Sequence, residues 1–415
     1  MDLQELLMST CENNKPAAIN LWDYQTTNSV FQYKSGGPIS KHMVAQLQND
    51  YIVGANREEP KLYLWQMNSH EPLKNFRLIL PEVASCLSVC PHGIYLAVGI
   101  KTYLYIWQLA SGKLLTIQRR NMRKITVVKF SGNGSLLIVA DEGGILSTYK
   151  LVRLVSLHKN DLSHREVGQT EPVYSRSDHT EAITDIHVGC FALRSKIATC
   201  SLDQTVKIYN LLTGSLIQNI ITENSVYSFI TDCSFLNAYI GCSNGVLLTC
   251  NITDNNYQIN SEEIQTKKLS FQQHTKAVKC LCLNQRGNIL ASGGDDGIII
   301  LWNTKSACKV ITSIKMNSPI TNLKFILNHQ NILCQNFQVD TAIMDLEMDF
   351  NLSHTNFGIT VLRNSPIECF KRKRNSVEKE LELERLEKEN MSLRAMNQQM
   401  YKFTQELLKN KIDKN

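Results

Sequence analysis

Few residues in this chain have the types and spacing for chemistry. Gly241-Cys242-Ser243-Asn244-Gly245 satisfies G-x-S-x-G, the pattern that lifts a nucleophilic serine on a sharp strand-to-helix turn. Two further sets put a histidine and an aspartate beside a hydroxyl, the ingredients of a nucleophilic triad: His179, Thr199, Asp203 and Tyr209 in one, His274, Ser292, Asp296 and Trp302 in the other. Cys280 and Cys282 alternate on one strand face, where a small apolar thiol packs well, and a metal site is not expected there. No Walker loop and no His-Glu-x-x-His helix is present. Each candidate weakens once its neighbours are read. Val246 to Asn251, VLLTCN, continues beyond the serine as a strand, so the helix that a nucleophile elbow needs is missing. The two His and Asp sets recur at the same register of related segments, as expected when a repeat satisfies its own buried polar groups. The expectation is a protein without catalytic residues, cofactor or metal.

The elements that position these residues form a repeat. Its clearest unit runs from His274 to Lys315. There Val278, Cys280 and Cys282 alternate, Asn284 to Asn288 turn, Ile289 to Ser292 resume, Asp295-Asp296-Gly297 turn again, and Ile298 to Trp302 form a third strand before Thr304 to Ser306 lead into a fourth. His179 to Ile221 repeats the pattern with Asp203 in the place of Asp296. Sliding this template along the chain puts an aromatic or its substitute at the end of the third strand at Trp22, Trp65, Trp107, Tyr149, Tyr209, Cys250 and Trp302, a position that takes all four tryptophans. The spacings of 43, 42, 42, 60, 41 and 52 residues mark seven units with two insertions, at about Leu154 to Asp178 and Asp254 to Gln273. A single four-stranded unit cannot bury both faces, whereas units stacked around a channel bury them in turn.

These anchors and turns resemble the WD-repeat family over about residues 1 to 350, although only Trp22-Asp23 is a literal Trp-Asp pair. The resemblance implies an all-β, seven-bladed β-propeller, and it implies that the two His and Asp sets are the internal hydrogen-bond tetrads of WD blades. Such rings usually close with strands from both chain ends. Pro16 to Tyr33 supply the third and fourth strands of the first unit, Pro319 to Cys334 reads as an outer pair completing that blade, and Leu3 to Ser9 is a further candidate strand. Two specialised propeller types lose ground. The Phe-Arg-Arg-Gly motif of phosphoinositide binders has only Gln118-Arg119-Arg120-Asn121 as a counterpart, and Trp22-Asp23 lacks the arginine two residues on that cullin-ligase receptors carry.

Composition narrows the function classes. With 44 Lys+Arg against 38 Asp+Glu the net charge of +6 is too mild for a protein living by phosphate contacts, so nucleic acid is at most an indirect partner. The thirteen cysteines contain no C-x-x-C pair, which fits reduced thiols better than a disulfide framework or zinc ribbon. Neither a secretory signal in Met1 to Asn20 nor an apolar run long enough for a membrane span is found.

Beyond the repeats, residues 351–375 read as a linker containing the basic run Lys371, Arg372, Lys373, Arg374, which is read as a nuclear import signal. Residues 376–412 read as a helix free of Gly and Pro. Leu386, Leu393, Met400 and Leu407 recur every seven residues, flanked by Leu383, Asn390 and Asn397 at the companion heptad position, so a coiled coil and a homodimer are expected. The irregular insertions are the other candidate contact sites.

The order of these parts, the segment ITDIHVG followed by IATCSLDQTVKIYNLLTGSLI, and Leu393-Arg394-Ala395-Met396-Asn397 in the tail are similar to the family of WD-repeat protein eighteen and Ipi-three, the WD-repeat subunit of the Rix-one complex. That resemblance implies a non-enzymatic nuclear and nucleolar scaffold in maturation of the pre-60S particle and in processing of the second internal transcribed spacer. It implies as partners a Rix-one/PELP-type helical-repeat subunit and a Midasin-type ATPase. The competing expectation is a cytoplasmic adaptor propeller in trafficking or a ubiquitin ligase.

Overall fold

The computed structural model describes residues 5–13, 18–76, 78–156, 170–190, 195–252, 258–259, 269–305, 308–327, 332, 341 and 343–347. The chain divides into two units, Met1–Phe350 and Asn351–Asn415, and every described residue belongs to the first. Lys371 to Arg374 and the heptad positions Leu383 to Leu407 therefore lie outside the described residues.

Alternating apolar and polar residues, interrupted by Gly-, Asn- and Asp-bearing turns, fold into seven sheets, antiparallel except for one added edge strand, arranged as the blades of a propeller. Blade 7 shows the plan: Val278–Leu283 is innermost, then come Ile289–Gly294, Ile298–Asn303 and, outermost, Lys309–Lys315. Blade 3 (Cys86–Val89 to Leu114–Gln118), blade 4 (Ile125–Phe130 to Tyr174–Arg176), blade 5 (Ile183–Val188 to Leu216–Ile221) and blade 6 (Val226–Thr231 to Leu269–Gln272) repeat that order. The innermost strands of successive blades pack together around the central channel. The second-to-third turns and the connections between blades share one end of the ring, here the upper end. The first-to-second and third-to-fourth turns share the lower end.

Closure differs from the outer pair expected for Pro319 to Cys334. Ile320–Leu327 is the innermost strand of blade 1 and pairs along its length with Glu5–Cys11, with Met8 opposite Lys324. Glu5–Cys11 in turn pairs with Ile19–Trp22, and Ser29–Tyr33 is outermost. All seven residues of Glu5–Cys11 are buried, because a second strand is covered by blades on both faces. The two ends of the repeat region are thus clasped inside one sheet, which removes the exposed edges an open ring would leave.

Two blades depart from the plan. Blade 2 has three strands, Val44–Leu47, Tyr51–Ala55 and Leu62–Gln66, with the fourth reduced to isolated contacts such as the Lys61 to Ile79 bridge. Blade 5 gains a strand: Gln258–Ile259, from the second insertion, pairs in parallel with Asn219 and Ile220 on its outer edge. The first insertion also contributes structure at its end, since Tyr174–Arg176 forms the outer strand of blade 4 and Tyr174 donates to the Leu211 carbonyl at 2.9 Å. Among the largest fully buried side chains are Trp65, Trp107, Trp302, Tyr149 and Tyr209.

Candidate interaction surfaces of the ring

The residues with apparent chemistry are brought together inside the blades. In blade 7 the Trp302 indole donates to Ser292 Oγ at 2.8 Å, the Ser292 hydroxyl faces His274 Nε2 at 2.8 Å, and His274 Nδ1 lies 3.0 Å from Asp296 Oδ2. In blade 5, His179 bridges Thr199 Oγ1 at 2.7 Å and Asp203 Oδ2 at 2.8 Å. Burial alone would raise the Asp203 carboxyl, but hydrogen bonds from His179 and Thr205 hold it well below the carboxylate range. Desolvation lowers His274, favouring a neutral ring that accepts from the serine. Ser292 is 0% exposed, so its hydroxyl is closed to any substrate and the relay ties the second strand, the third strand and the turn of its own blade.

Strand register explains why the anchors differ. The second-strand residue opposite the position two before each anchor is Ser9, Gly54, Val98, Val139, Thr199, Ile240 and Ser292 in blades 1 to 7. Where it is serine the indole donates to it, as Trp22 does to Ser9 at 2.8 Å. Where it is not, the indole finds a backbone carbonyl: Trp65 donates to Lys34 at 3.0 Å and Trp107 to Glu347 at 2.8 Å. Ser243 sits in the turn between Asn237–Cys242 and Val246–Asn251, and both flanking glycines have packing reasons. Gly245 has φ +83 with the His274 carbonyl 2.2 Å from where a Cβ would stand, and a Cβ on Gly241 would lie 2.3 Å from Ser228 Oγ.

A second polar cluster occupies the channel. Lys41 and His42 belong to the connection into blade 2, yet their side chains meet the innermost strands of blades 5 and 6. Lys41 Nζ donates to the carbonyls of Tyr227 at 2.5 Å and Thr184 at 3.2 Å, and His42 Nε2 donates to the Thr184 carbonyl at 3.0 Å. His42 has φ +60, and its backbone N–H is held by Asn322 Oδ1 of blade 1 at 2.8 Å. Asp185 receives Lys129 at 3.2 Å and lies 3.9 Å from Lys41. Its burial would raise its pKa, but these two lysines hold the carboxyl well below the ordinary range. Burial pushes His42 down to about 3, so it is neutral at physiological pH. The cluster lies at the upper ends of the innermost strands and cross-braces the ring. Beside it, seams between blades 4, 5, 6 and 7 are bridged by Thr126 to the Ile183 carbonyl, Thr184 to Val226 and Ser228 to Val278, at 2.7, 2.8 and 2.9 Å.

Two surfaces remain open or differently covered. At the upper end a cleft of about 830 Å³ lies where blades 1 and 2 meet, lined by Glu12, Asn13, Gly37, Arg57 and Ser318, with Arg57 paired to Glu12. At the lower end an extended strap runs across blades 2 and 3. Thr341 Oγ1 donates to Asp50 Oδ2 at 2.6 Å, Met344 N–H to the Leu109 carbonyl at 3.1 Å and Glu347 N–H to the Gly112 carbonyl at 2.9 Å, while Ile343 and Leu346 are buried. Among the described residues no cluster of three His, Cys, Asp or Glu side chains could hold a metal ion, and no helix is long and apolar enough to cross a membrane.

A family model described as "WD domain, G-beta repeat" matches residues 170–210 and 265–303, the two segments that carry the histidine relays. WD repeat-containing protein 18 of Danio rerio is 26% identical over 313 residues, covering 74% of this chain and 69% of the relative. Pre-rRNA-processing protein crb3/ipi3 of Schizosaccharomyces pombe is 23% identical over 350 residues, covering 77% of each. Pre-rRNA-processing protein pro-1 of Caenorhabditis briggsae is 24% identical over 337 residues, covering 78% of this chain and 60% of the relative. The chain carries WD repeats and has homologues named WD repeat-containing protein 18 and Ipi3.

In this WD-repeat protein the family model matches only two blades because only blades 5 and 7 combine histidine, hydroxyl, aspartate and aromatic. Blade 1 keeps the hydroxyl and the indole, and Ser9 could have been found by aligning Glu5–Cys11 as a second strand. Lys41, His42 and Asp185 carry no local signal at all. Lys41 and His42 reach partners 142 or more residues away along the chain and Asp185 meets Lys129 across 56, so only the closed ring brings them together.

Proposed function

We propose that this WD-repeat protein is a non-enzymatic scaffold subunit of a Rix-one-type complex that acts in nuclear maturation of the pre-60S particle, including processing of the second internal transcribed spacer. The observation that carries the reading is the set of relatives named as pre-rRNA-processing proteins across about three quarters of the chain. Burial of both histidine relays supports a scaffold over an enzyme. In this role the rigid ring presents its upper cleft, lower strap and outer edges to a Rix-one/PELP-type helical-repeat subunit, and the assembled complex helps recruit a Midasin-type ATPase. The basic run Lys371 to Arg374 directs nuclear import, and the C-terminal heptads form a homodimer that doubles the binding valency.

Depletion followed by blotting for precursor rRNA tests the central claim: precursors retaining the second internal transcribed spacer should accumulate, and large-subunit precursors should co-purify with the tagged chain. A normal precursor pattern with only cytoplasmic partners recovered would favour the adaptor reading. Alanine at Lys371 to Arg374 should leave a fluorescent fusion in the cytoplasm. Light scattering should give a dimer mass for the full chain and a monomer mass for a chain ending near Cys369; equal masses would remove the coiled coil.

A further inference from the structure

Cys190 and Cys233 are the two exposed cysteines among the described residues; the others there are buried or, at Cys250, half-buried. They come from different blades. Cys190 follows the innermost strand of blade 5, Ile183–Val188, and Cys233 follows that of blade 6, Val226–Thr231, so both lie in lower-end turns. The two turns are in contact. Phe235 is 4% exposed and covers Gly189 so closely that a Cβ there would sit 2.8 Å from its ring, and the His187 ring packs 5.6 Å from it. Cys190 is one residue from Gly189 and Cys233 two from Phe235, so this contact sets the two thiols alongside each other, near enough to interact.

The described residues flanking each cysteine are held by their own bonds. Gly189 N–H donates to the Lys196 carbonyl at 3.0 Å, and Ser195 Oγ donates to the Gly189 carbonyl at 2.9 Å. The Asp232 carboxylate accepts from Ser234 Oγ at 2.8 Å and from Leu236 N–H at 2.9 Å, with Phe235 held at φ +56. Burial first, and the neighbouring Cys233 second, raise the Cys190 pKa above an ordinary thiol. The buried thiols contrast with this pair. Desolvation pushes Cys86 and Cys200 up to about 12, and both are closed to solvent, which leaves them inert to oxidants.

We propose that Cys190 and Cys233 form a dithiol modification site, closed by peroxide into a disulfide that staples blade 5 to blade 6 at the lower end. One thiolate attacks hydrogen peroxide and the O–O bond breaks, leaving a sulfenic acid and hydroxide, which takes up a proton as water. The second thiolate attacks the sulfenyl sulfur, the S–S bond forms, and a second water leaves. Two thiols give up two electrons and two protons to one peroxide, yielding one disulfide and two waters. A dithiol reductant reverses the step.

The test uses the full chain, reduced and then treated with hydrogen peroxide under native conditions, followed by peptide mapping without reductant. The expected result is one dominant intramolecular link joining Cys190 to Cys233. It should be removed by dithiothreitol, absent from C190S and C233S, and replaced by scattered pairings when oxidation is carried out in guanidinium. Phenylarsine oxide, which closes on two neighbouring thiols, should bind the native chain and lose roughly tenfold or more in affinity in either variant. Sulfinic acids at both positions without a link, a link between chains, a native yield no greater than the unfolded chain's, or arsenical binding unchanged in both variants would each overturn the proposal.

Discussion

Trp107 donates its indole N–H to the carbonyl of Glu347 at 2.8 Å, across 240 residues of sequence. The second-strand hydroxyl that serves Trp22 and Trp302 is replaced in blade 3 by Val98, so this anchor depends on a strap outside the blades. The strap also inserts Ile343 and Leu346 into the core that surrounds Leu109 and Leu114. Leu346→Ala should therefore lower the stability of the ring by about 2–3 kcal/mol. Trp107→Phe, which keeps much of the apolar volume and removes the donor, should cost about 1–3 kcal/mol. Guanidinium unfolding of both variants checks this, and a Leu346→Ala midpoint equal to that of the parent would show that the strap is not part of the folded core.

The G-x-S-x-G segment separates a structural from a catalytic reading within five residues. Ser243→Ala should leave stability and every measured property unchanged. Gly245→Ala, forced to φ +83 against the His274 carbonyl, should lose about 1–3 kcal/mol or fail to fold. Thermal unfolding of the pair decides it: a silent Gly245→Ala together with a harmful Ser243→Ala would reverse the assignment.

The serines beneath two tryptophans should differ in weight. Ser292→Ala leaves both the Trp302 N–H and His274 Nε2 without their buried partner, at about 1–3 kcal/mol for each stranded group. Ser9→Ala strands the Trp22 indole alone, which is half-buried, so its loss should be smaller. Urea midpoints measured side by side test the order, and equal losses would argue that the histidine adds nothing to the relay.

Acid should weaken the ring in a defined window. Burial lowers His42 to about 3 and His187 to about 4, against about 6.5 for a histidine in an unfolded chain. As pH falls below about 6.5 the unfolded chain binds protons that the folded chain refuses, so unfolding becomes easier with each step down to those values. Asp185 and Asp203, held below ordinary carboxylates, act in the same direction further down: their contribution is complete above the unfolded carboxylate pKa of about 4 and fades below it. A His42→Gln, His187→Gln double variant should show a flatter stability profile between about pH 6 and 4, and an unchanged slope would sink the idea.

Lys41 braces the channel through main-chain acceptors rather than through a surface ion pair. Lys41→Met removes the donor shared by Tyr227 and Thr184 and one of the lysines facing Asp185, so a loss of about 2 kcal/mol is expected. Hydrogen exchange at blades 5 and 6 should rise with it; exchange confined to blade 2 would mean that the crossing contact contributes little.

What the sequence determined by itself is whatever repeats locally. Seven anchors, their spacing, alternating strands and the paired histidine and aspartate of blades 5 and 7 follow from residues within one blade, because a blade's own hydrogen bonds and periodicity span some forty residues. The tertiary structure decided what couples distant blades. Ring closure by Ile320–Leu327 on Glu5–Cys11, the strap beneath Trp107, the crossing of Lys41 and His42 to Asp185, the strand Gln258–Ile259 on the edge of blade 5 and the meeting of Cys190 with Cys233 each join residues from separate units. No periodicity encodes such pairs. Each residue is ordinary within its own blade and gains its partner only when stacking around the channel brings remote turns and strands into contact.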